Sequence, residues 1–281
     1  MPRGMSVHQK IAFVGAGNMA SALIRGLIGT ATVPADEIIA ADPERERIGA
    51  LAEQLGIRTT RDNAEAVREA RVIVLATKPQ VFAQLLPDIA AAMPTDALVV
   101  SIAAGIPTAM IERSLPAGSR VVRTMPNTPA LVGAGATAIA AGMHATEDDL
   151  DLVETLFRSV GIAVRVPEAQ IDAVTGLSGS GPAYVFAMIE ALRDAGAREG
   201  LPEQTALRLA SQTVFGAARL LLDQKDAPEV LRERVTSPGG TTRAGLDALA
   251  AAGFADAILG AVHAATRRSA ELGKVAEGAP G

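Results

Sequence analysis

The run Lys10-Ile11-Ala12-Phe13-Val14, followed at once by Gly15-Ala16-Gly17-Asn18-Met19-Ala20, narrows the folds open to this chain more than any other feature. The first segment reads as a buried strand, the second as G-x-G-x-x-A, and a helical pattern runs on from Ser21 to Ile28. That order is what a dinucleotide pyrophosphate requires: a tight turn at Gly15, close approach at Gly17, and a small Ala20 where helix packs on strand. Gly15, Ala16, Gly17, Asn18, Met19 and Ala20 are therefore the candidate cofactor turn.

A second strand, Ile38-Ile39-Ala40-Ala41, supports this context and ends in Asp42. An acid at the end of the second strand commonly binds the adenosine ribose hydroxyls and favours NAD, about 20 residues after the glycine turn. Asp42 lies 25 residues after Gly17. Asp42-Pro43-Glu44 also reads as a helix N-cap with Pro at the first helical position. Arg45 and Arg47 offer a third possibility, a cradle for a 2′-phosphate. NADH and NADPH both remain open as cofactor.

Strand and helix signals alternate through the first half, the pattern of a parallel sheet covered on both faces. Further strands are read at 71–76, 97–102, 120–123 and 136–140, with 161–166 as the last, edge strand. Ligands of such sheets bind at the carboxyl ends of the strands. The loops there are Thr77-Lys78-Pro79, Ala103-Ala104-Gly105 and Thr124-Met125-Pro126-Asn127-Thr128-Pro129, all expected to face the cofactor. Lys78, held extended before Pro79, leans over phosphates or is simply solvated. Ala103, Ala104 and Gly105 bring no reactive side chain, which suits backbone lying against a nicotinamide ribose or ring, or a plain turn before Pro107. Asn127 either fixes a carboxamide or serves its own backbone turn.

After about residue 166 the pattern turns helical to the end, with apolar residues at helical spacing in 171–177, 184–192, 207–214 and 248–262. The expected organisation is an α/β Rossmann-type domain, 1–166, followed by an all-α domain, 167–281. Segments such as Ser211 to Ala218 are apolar around much of their circumference, and helices of that kind must be buried. A helical domain of about 115 residues has little interior for so many faces. A homodimer or larger oligomer built on this domain is expected; the alternative is that the faces pack on each other.

Composition bounds the partners. With 49% hydrophobic residues, 20% charged and a net charge of −5, the 281 residues suit a cytoplasmic enzyme with ample core. One Tyr, six Phe and no Trp leave little for base stacking, and the acidic balance argues against nucleic acid. No cysteine means no disulfide and no thiolate metal site. His8, His144 and His263 are scattered, so no metal is expected and each is read as a surface residue. The segment Met1 to Lys10 has no apolar signal core, and no run reaches the roughly 18 to 20 apolar residues that span a bilayer, so no membrane is expected.

The second informative motif is Thr236-Ser237-Pro238-Gly239-Gly240-Thr241-Thr242-Arg243-Ala244-Gly245-Leu246, a glycine- and hydroxyl-rich turn entering a helix. Free amides at a helix start attract anions, and glycines let a ligand reach them, so a substrate carboxylate can sit on Gly239 to Thr242. A Ser or Thr cap after a Pro-Gly turn has the same look.

Together with Thr77-Lys78-Pro79-Gln80, Ser101 to Gly105, Met125 to Pro129 and Gly176-Leu177-Ser178-Gly179-Ser180-Gly181-Pro182-Ala183-Tyr184, these motifs resemble pyrroline-5-carboxylate reductases, from Ile11 to about Ala270. The resemblance implies hydride transfer from NADPH or NADH to the C=N carbon of 1-pyrroline-5-carboxylate, giving L-proline in the last step of proline synthesis. It also implies a dimer with interlocked helical domains, often assembled into a decamer. Carried over by motif, Ser237, Gly240, Thr241 and Thr242 form the substrate pocket, with turn amides on the carboxylate and the Thr242 hydroxyl on the ring nitrogen. Ser178, Gly181 and Pro182 add a further wall. The departure is Asp42-Pro43, where many relatives carry Asn-Arg or a Ser-containing turn.

Two rivals are weighed. A 3-hydroxyacid-type dehydrogenase needs a lysine or histidine acid-base, yet Lys225 and Lys274 are the only lysines after residue 78 and both lie in polar surroundings. A non-catalytic NAD(P)-sensing protein has no need of the intact Ser237 to Thr242 turn.

Overall fold

The computed structural model describes residues 7–276. The terminal residues 1–6 and 277–281, including most of the segment read for a signal core, lie outside the described part. The described chain divides into two compact units, one of 7–179 with 264–276 and one of Ser180–His263.

In the first unit an eight-stranded sheet has the order β3-β2-β1-β4-β5-β6-β7-β8. Its strands are β1 (Ile11–Val14), β2 (Ile38–Ala41), β3 (Arg58–Thr60), β4 (Val72–Leu75), β5 (Leu98–Ser101), β6 (Arg120–Met125), β7 (Gly135–Ala141) and β8 (Gly161–Arg165). Every residue of β1, β2, β4 and β5 is buried, which is why these strands read as continuous apolar runs rather than alternating ones. The helices of this unit are α1 (Asn18–Gly29), α2 (Arg45–Leu55), α3 (Asn63–Val67), α4 (Phe82–Ala92), α5 (Thr108–Ser114), α6 (Glu147–Arg158) and α7 (Ile171–Val174). Two apolar clusters, one per face, lie against the sheet. Leu23, Ile24 and Leu27 of α1 pack with Phe157 of α6 on one face, and Phe82, Leu86 and Ile89 of α4 with Ile111 of α5 on the other.

One expectation needs correction. The sheet is not wholly parallel: β7 runs antiparallel to β6, with Arg123 opposite Ala140. The β6–β7 connection, 126–134, holds one 3-10 turn and is too short for the crossover that parallel neighbours require. β8 then pairs with β7 in parallel and closes the sheet as an edge.

The second unit is helical: α8 (Gly181–Arg198), α9 (Glu203–Gln224), α10 (Pro228–Arg234), α11 (Thr241–Ala251) and the start of α12 (Phe254–Ala276). Within one chain these helices bury very little. Of α8 to α11 only Ala206 and Ala210 are buried, both on α9, while Phe215, Leu222 and Leu259 are 63%, 71% and 72% exposed. Among the described residues of this unit, the faces do not simply pack on each other.

Candidate active site

The chain passes from β1 into α1 through Gly15, whose φ of +96° is a conformation that only glycine adopts without strain. A Cβ there would lie 2.7 Å from the carbonyl oxygen of Ala76 at the end of β4, so no larger residue fits between the two strand ends. The Gly15 amide donates to Ala41 O at 2.8 Å, binding the turn to β2 as well. Gly17 is the N-cap of α1 and has open space where a Cβ would be. The first intrahelical bond runs from Ser21 N–H to Gly17 O, so the amides of Asn18, Met19 and Ala20 point out of the helix start without an intrahelical partner. Ala20 is buried among Phe13, Ala16 and Leu23 in the core on that face, the small residue that lets α1 lie close to the sheet.

Asp42 is buried at the carboxyl end of β2. Its Oδ2 accepts from Ala16 N at 2.9 Å and its Oδ1 from Glu44 N at 3.0 Å. Arg47 Nη1 reaches both oxygens at 3.0 Å. Burial pushes the carboxyl pKa up, but the Ala16 and Glu44 amides and the Arg47 guanidinium outweigh it, and the group sits below the ordinary aspartate value. It is an anion at neutral pH. The reading of Asp42 as helix cap is corrected here: Glu44 occupies the N-cap of α2, and Asp42 binds the glycine turn from the side.

Thr77, Lys78 and Pro79 follow β4. Lys78 is exposed and extended, as Pro79 demands, and caps a short 3-10 turn, Pro79–Val81. The Thr77 hydroxyl is buried and has no hydrogen-bond partner. Ala103, Ala104 and Gly105 follow β5. Ser101 Oγ accepts from Ala103 N at 3.3 Å, and Thr124 Oγ1 donates to Ser101 O at 3.0 Å, tying this loop to β6. Gly105, with φ +73°, backs onto Leu272 of α12. Asn127 uses its side chain on backbone: Nδ2 donates to Ser178 O at 3.1 Å and Oδ1 accepts from Ala136 N at 2.9 Å. Ser178 lies in a π-helical turn, Thr175–Gly179, at the end of the first unit, and Gly181 and Pro182 open α8 in the second.

The ends of β1, β2, β4, β5 and β6 lie side by side on one edge of the parallel part of the sheet, and the order reverses between β1 and β4. That switch point is where doubly wound folds bind a nucleotide. The unpartnered Thr77 hydroxyl, the open amides of α1 and the space beside Gly17 fit a dinucleotide.

In the second unit, Gly239 takes φ +70° and Gly240 is the N-cap of α11 with no side chain to satisfy it. Gly240 N–H donates to Ser237 O at 3.1 Å, closing the turn, and a Cβ on Gly240 would strike Ser237 Oγ. Because the first helical bond is Ala244 N–H to Gly240 O, the amides of Thr241, Thr242 and Arg243 remain free of the helix. The Thr241 and Thr242 side chains are exposed beside them. Three N–H groups and two hydroxyls at one helix start suit a small carboxylate.

Arg123 carries no motif that marks it in the sequence. It is buried on β6, its Nη1 3.4 Å from Glu168 Oε1, while Glu168 also accepts from Thr108 N at 2.6 Å, and Ser269 of α12 donates to Asp172 at 2.7 Å. A charged residue at an inward strand position was the available signal. The three histidines are exposed, and among the described residues no group of three or more His, Cys, Asp or Glu is placed to hold a metal. Among the described residues no single helix is long and apolar enough to cross a membrane.

Sheet order, glycine turn and appended helices define a doubly wound NAD(P)-dependent oxidoreductase. Residues 10–105 match the family described as NADP oxidoreductase coenzyme F420-dependent, and residues 168–272 match pyrroline-5-carboxylate reductase dimerisation. The chain is 46% identical over 267 residues to a pyrroline-5-carboxylate reductase of Methanosarcina acetivorans, covering 95% of this chain and 99% of that one. It superposes on a pyrroline-5-carboxylate reductase of Coxiella burnetii with a TM-score of 0.89 at 39% identity, covering 95% and 99%. The enzyme of Plasmodium falciparum, solved with NADP bound, gives a TM-score of 0.85 at 29% identity, covering 96% and 100%. The chain belongs to the pyrroline-5-carboxylate reductase family.

Proposed function

We propose that the protein reduces the C=N bond of 1-pyrroline-5-carboxylate to L-proline, the last step of proline biosynthesis, with NADH or NADPH as hydride donor. Family membership over nearly the full length carries this reading. When bound, the reduced nicotinamide supplies the hydride, and the imine nitrogen ends as the secondary amine after gaining one proton.

Gly15 to Ala20 hold the pyrophosphate on the α1 amides, Asp42 marks the adenosine ribose end, and Thr77 to Pro79 and Ala103 to Gly105 border the dinucleotide. Asn127 acts through its bonds, holding Ser178 and the start of β7 in place. The Gly240 to Thr242 turn takes the substrate carboxylate, with Ser237 shaping the turn, and Ser178, Gly181 and Pro182 are further candidates for substrate contact. Thr242 orients the ring nitrogen through its hydroxyl. A cyclic imine can arrive already protonated, so the residues have mainly to hold its carbon near the hydride donor. Such positioning is worth roughly 7 to 11 kcal/mol of barrier, which accounts for a site without an evident acid-base pair. We assign 1–166 to dinucleotide binding, 167–281 to substrate binding and dimerisation, and the enzyme to the cytoplasm. Mixing the protein with the imine and NADH or NADPH is expected to oxidise the cofactor and form L-proline in equal amounts; no turnover with either cofactor overturns the reading.

The exposed apolar faces of α8, α9 and α12 support a homodimer, with assembly to a decamer as the further step of the proposal. Burying one Phe side chain contributes about 1.5–3 kcal/mol, and a two-fold interface counts it twice. Phe215→Glu is therefore expected to weaken the dimer by at least about 100-fold in sedimentation velocity. An unchanged dimer would place the interface elsewhere.

A further inference from the structure

We propose that Asp42, with Arg47 as its counter-ion, makes the adenosine end of the cofactor site selective for the dinucleotide without a 2′-phosphate, so that NADH is preferred to NADPH. The inference rests on the reading of the glycine turn as a dinucleotide site and deepens it.

A carboxylate has about four lone-pair positions. Two are held by the backbone amides of Ala16 and Glu44, which belong to the fold and stay. The other two face a single group, Arg47 Nη1, at equal distances of 3.0 Å. Arg47 is the removable partner, because its side chain is 39% exposed whereas that of Asp42 is 5% exposed. A ribose diol brings two O–H donors, enough to replace Arg47 on both oxygens while the Ala16 and Glu44 bonds remain.

A 2′-phosphate has no such exchange to make. It carries negative charge toward an anion that its own fold holds ionised, and it needs a guanidinium aimed at it. Arg47 could offer one only by leaving both carboxylates, since Nη1 is on Asp42 and Nη2 is on Glu44 at 2.7 Å, and that would strip Asp42 of its counter-ion beside the phosphate. Across 42–47 three carboxylates, Asp42, Glu44 and Glu46, stand against two guanidiniums. Arg45 is exposed on the first turn of α2, which also carries Glu46.

Binding of NADH and of NADPH to the full-length protein, without imine, by calorimetry or nicotinamide fluorescence tests this independently of turnover. The wild type is expected to bind NADH at least about tenfold more tightly. Asp42→Asn keeps the volume and one acceptor oxygen but removes the charge, and should narrow the ratio of the two dissociation constants about tenfold. Because a weakened glycine turn harms both ligands alike, the ratio isolates selection from bracing. NADPH binding as tightly as NADH to the wild type overturns the proposal, as does an unchanged ratio in the variant. If the variant does not fold, the wild-type ratio decides alone. Binding of neither dinucleotide overturns the nucleotide site and the selection with it, whereas normal selective binding without imine reduction faults only the substrate assignment.

Discussion

Gly15→Ala is expected to lower stability by about 2–5 kcal/mol and to raise the dissociation constant for NADH or NADPH by more than about 100-fold. Two effects add. An alanine at φ +96° carries roughly 1–2 kcal/mol of backbone strain, and its Cβ would press to 2.7 Å from Ala76 O and 2.9 Å from Ala76 C and Thr77 Cγ2. Strand backbone cannot step aside cheaply in a packed sheet; overpacking of this kind costs about 1–3 kcal/mol. Relief comes by moving the turn away from β4, which would withdraw the α1 amides from the pyrophosphate they are proposed to hold. Gly17→Ala is the informative contrast. With φ −68° and nothing within 4 Å of its Cβ, it should leave thermal stability nearly unchanged while its methyl obstructs the dinucleotide. Equal melting temperatures for wild type and Gly15→Ala would contradict the strand-end geometry described here.

Thr242→Ala is expected to lower kcat/KM for the imine by about 10- to 100-fold while the dissociation constant for the dinucleotide stays within about twofold. Thr242 is the second residue of α11, exposed, and next to the free amides proposed to receive the carboxylate. Its hydroxyl is proposed to hold a nitrogen that bears charge during reduction, and hydrogen bonds to charged groups contribute about 1.5–3 kcal/mol. At 1.36 kcal/mol per tenfold in rate, that is the stated range. Alanine favours helices more than threonine, so lost activity could not be ascribed to a melted α11. Thr242→Ser should recover most of the rate. Equal losses of activity and cofactor affinity would speak against an orienting role.

The parts of the fold legible in the sequence are those whose signal is local. β1, β2, β4 and β5 are fully buried, so each stands out as an apolar run. The glycine turn announces itself because Gly15 has to be glycine. β3 was missed: Arg58–Thr60 is three residues long, polar and only partly buried, with no periodicity to read. The reversed direction of β7 was legible in principle from the short β6–β7 connection, but strand runs by themselves carry no direction. Side-chain partnerships were the hardest. Asp42 was readable as a ribose ligand or, because Asp-Pro-Glu is a cap sequence, as a helix cap, and its bond to Ala16 spans 26 residues. Arg123 and Glu168 meet across 45 residues, and Asn127 reaches Ser178 across 51. The turn itself was legible from Gly239, Gly240 and the two threonines: it opens α11 with Gly240 at the N-cap and leaves the amides of 241–243 free of the helix.

Reduction of 1-pyrroline-5-carboxylate with cofactor carrying deuterium at the transferable nicotinamide position, followed by mass spectrometry of the product, tests the central claim most directly. The account predicts L-proline with one deuterium on the ring carbon remote from the carboxylate, formed one for one with oxidised cofactor. Unlabelled proline, or cofactor that is bound but never oxidised in the presence of the imine, would contradict it.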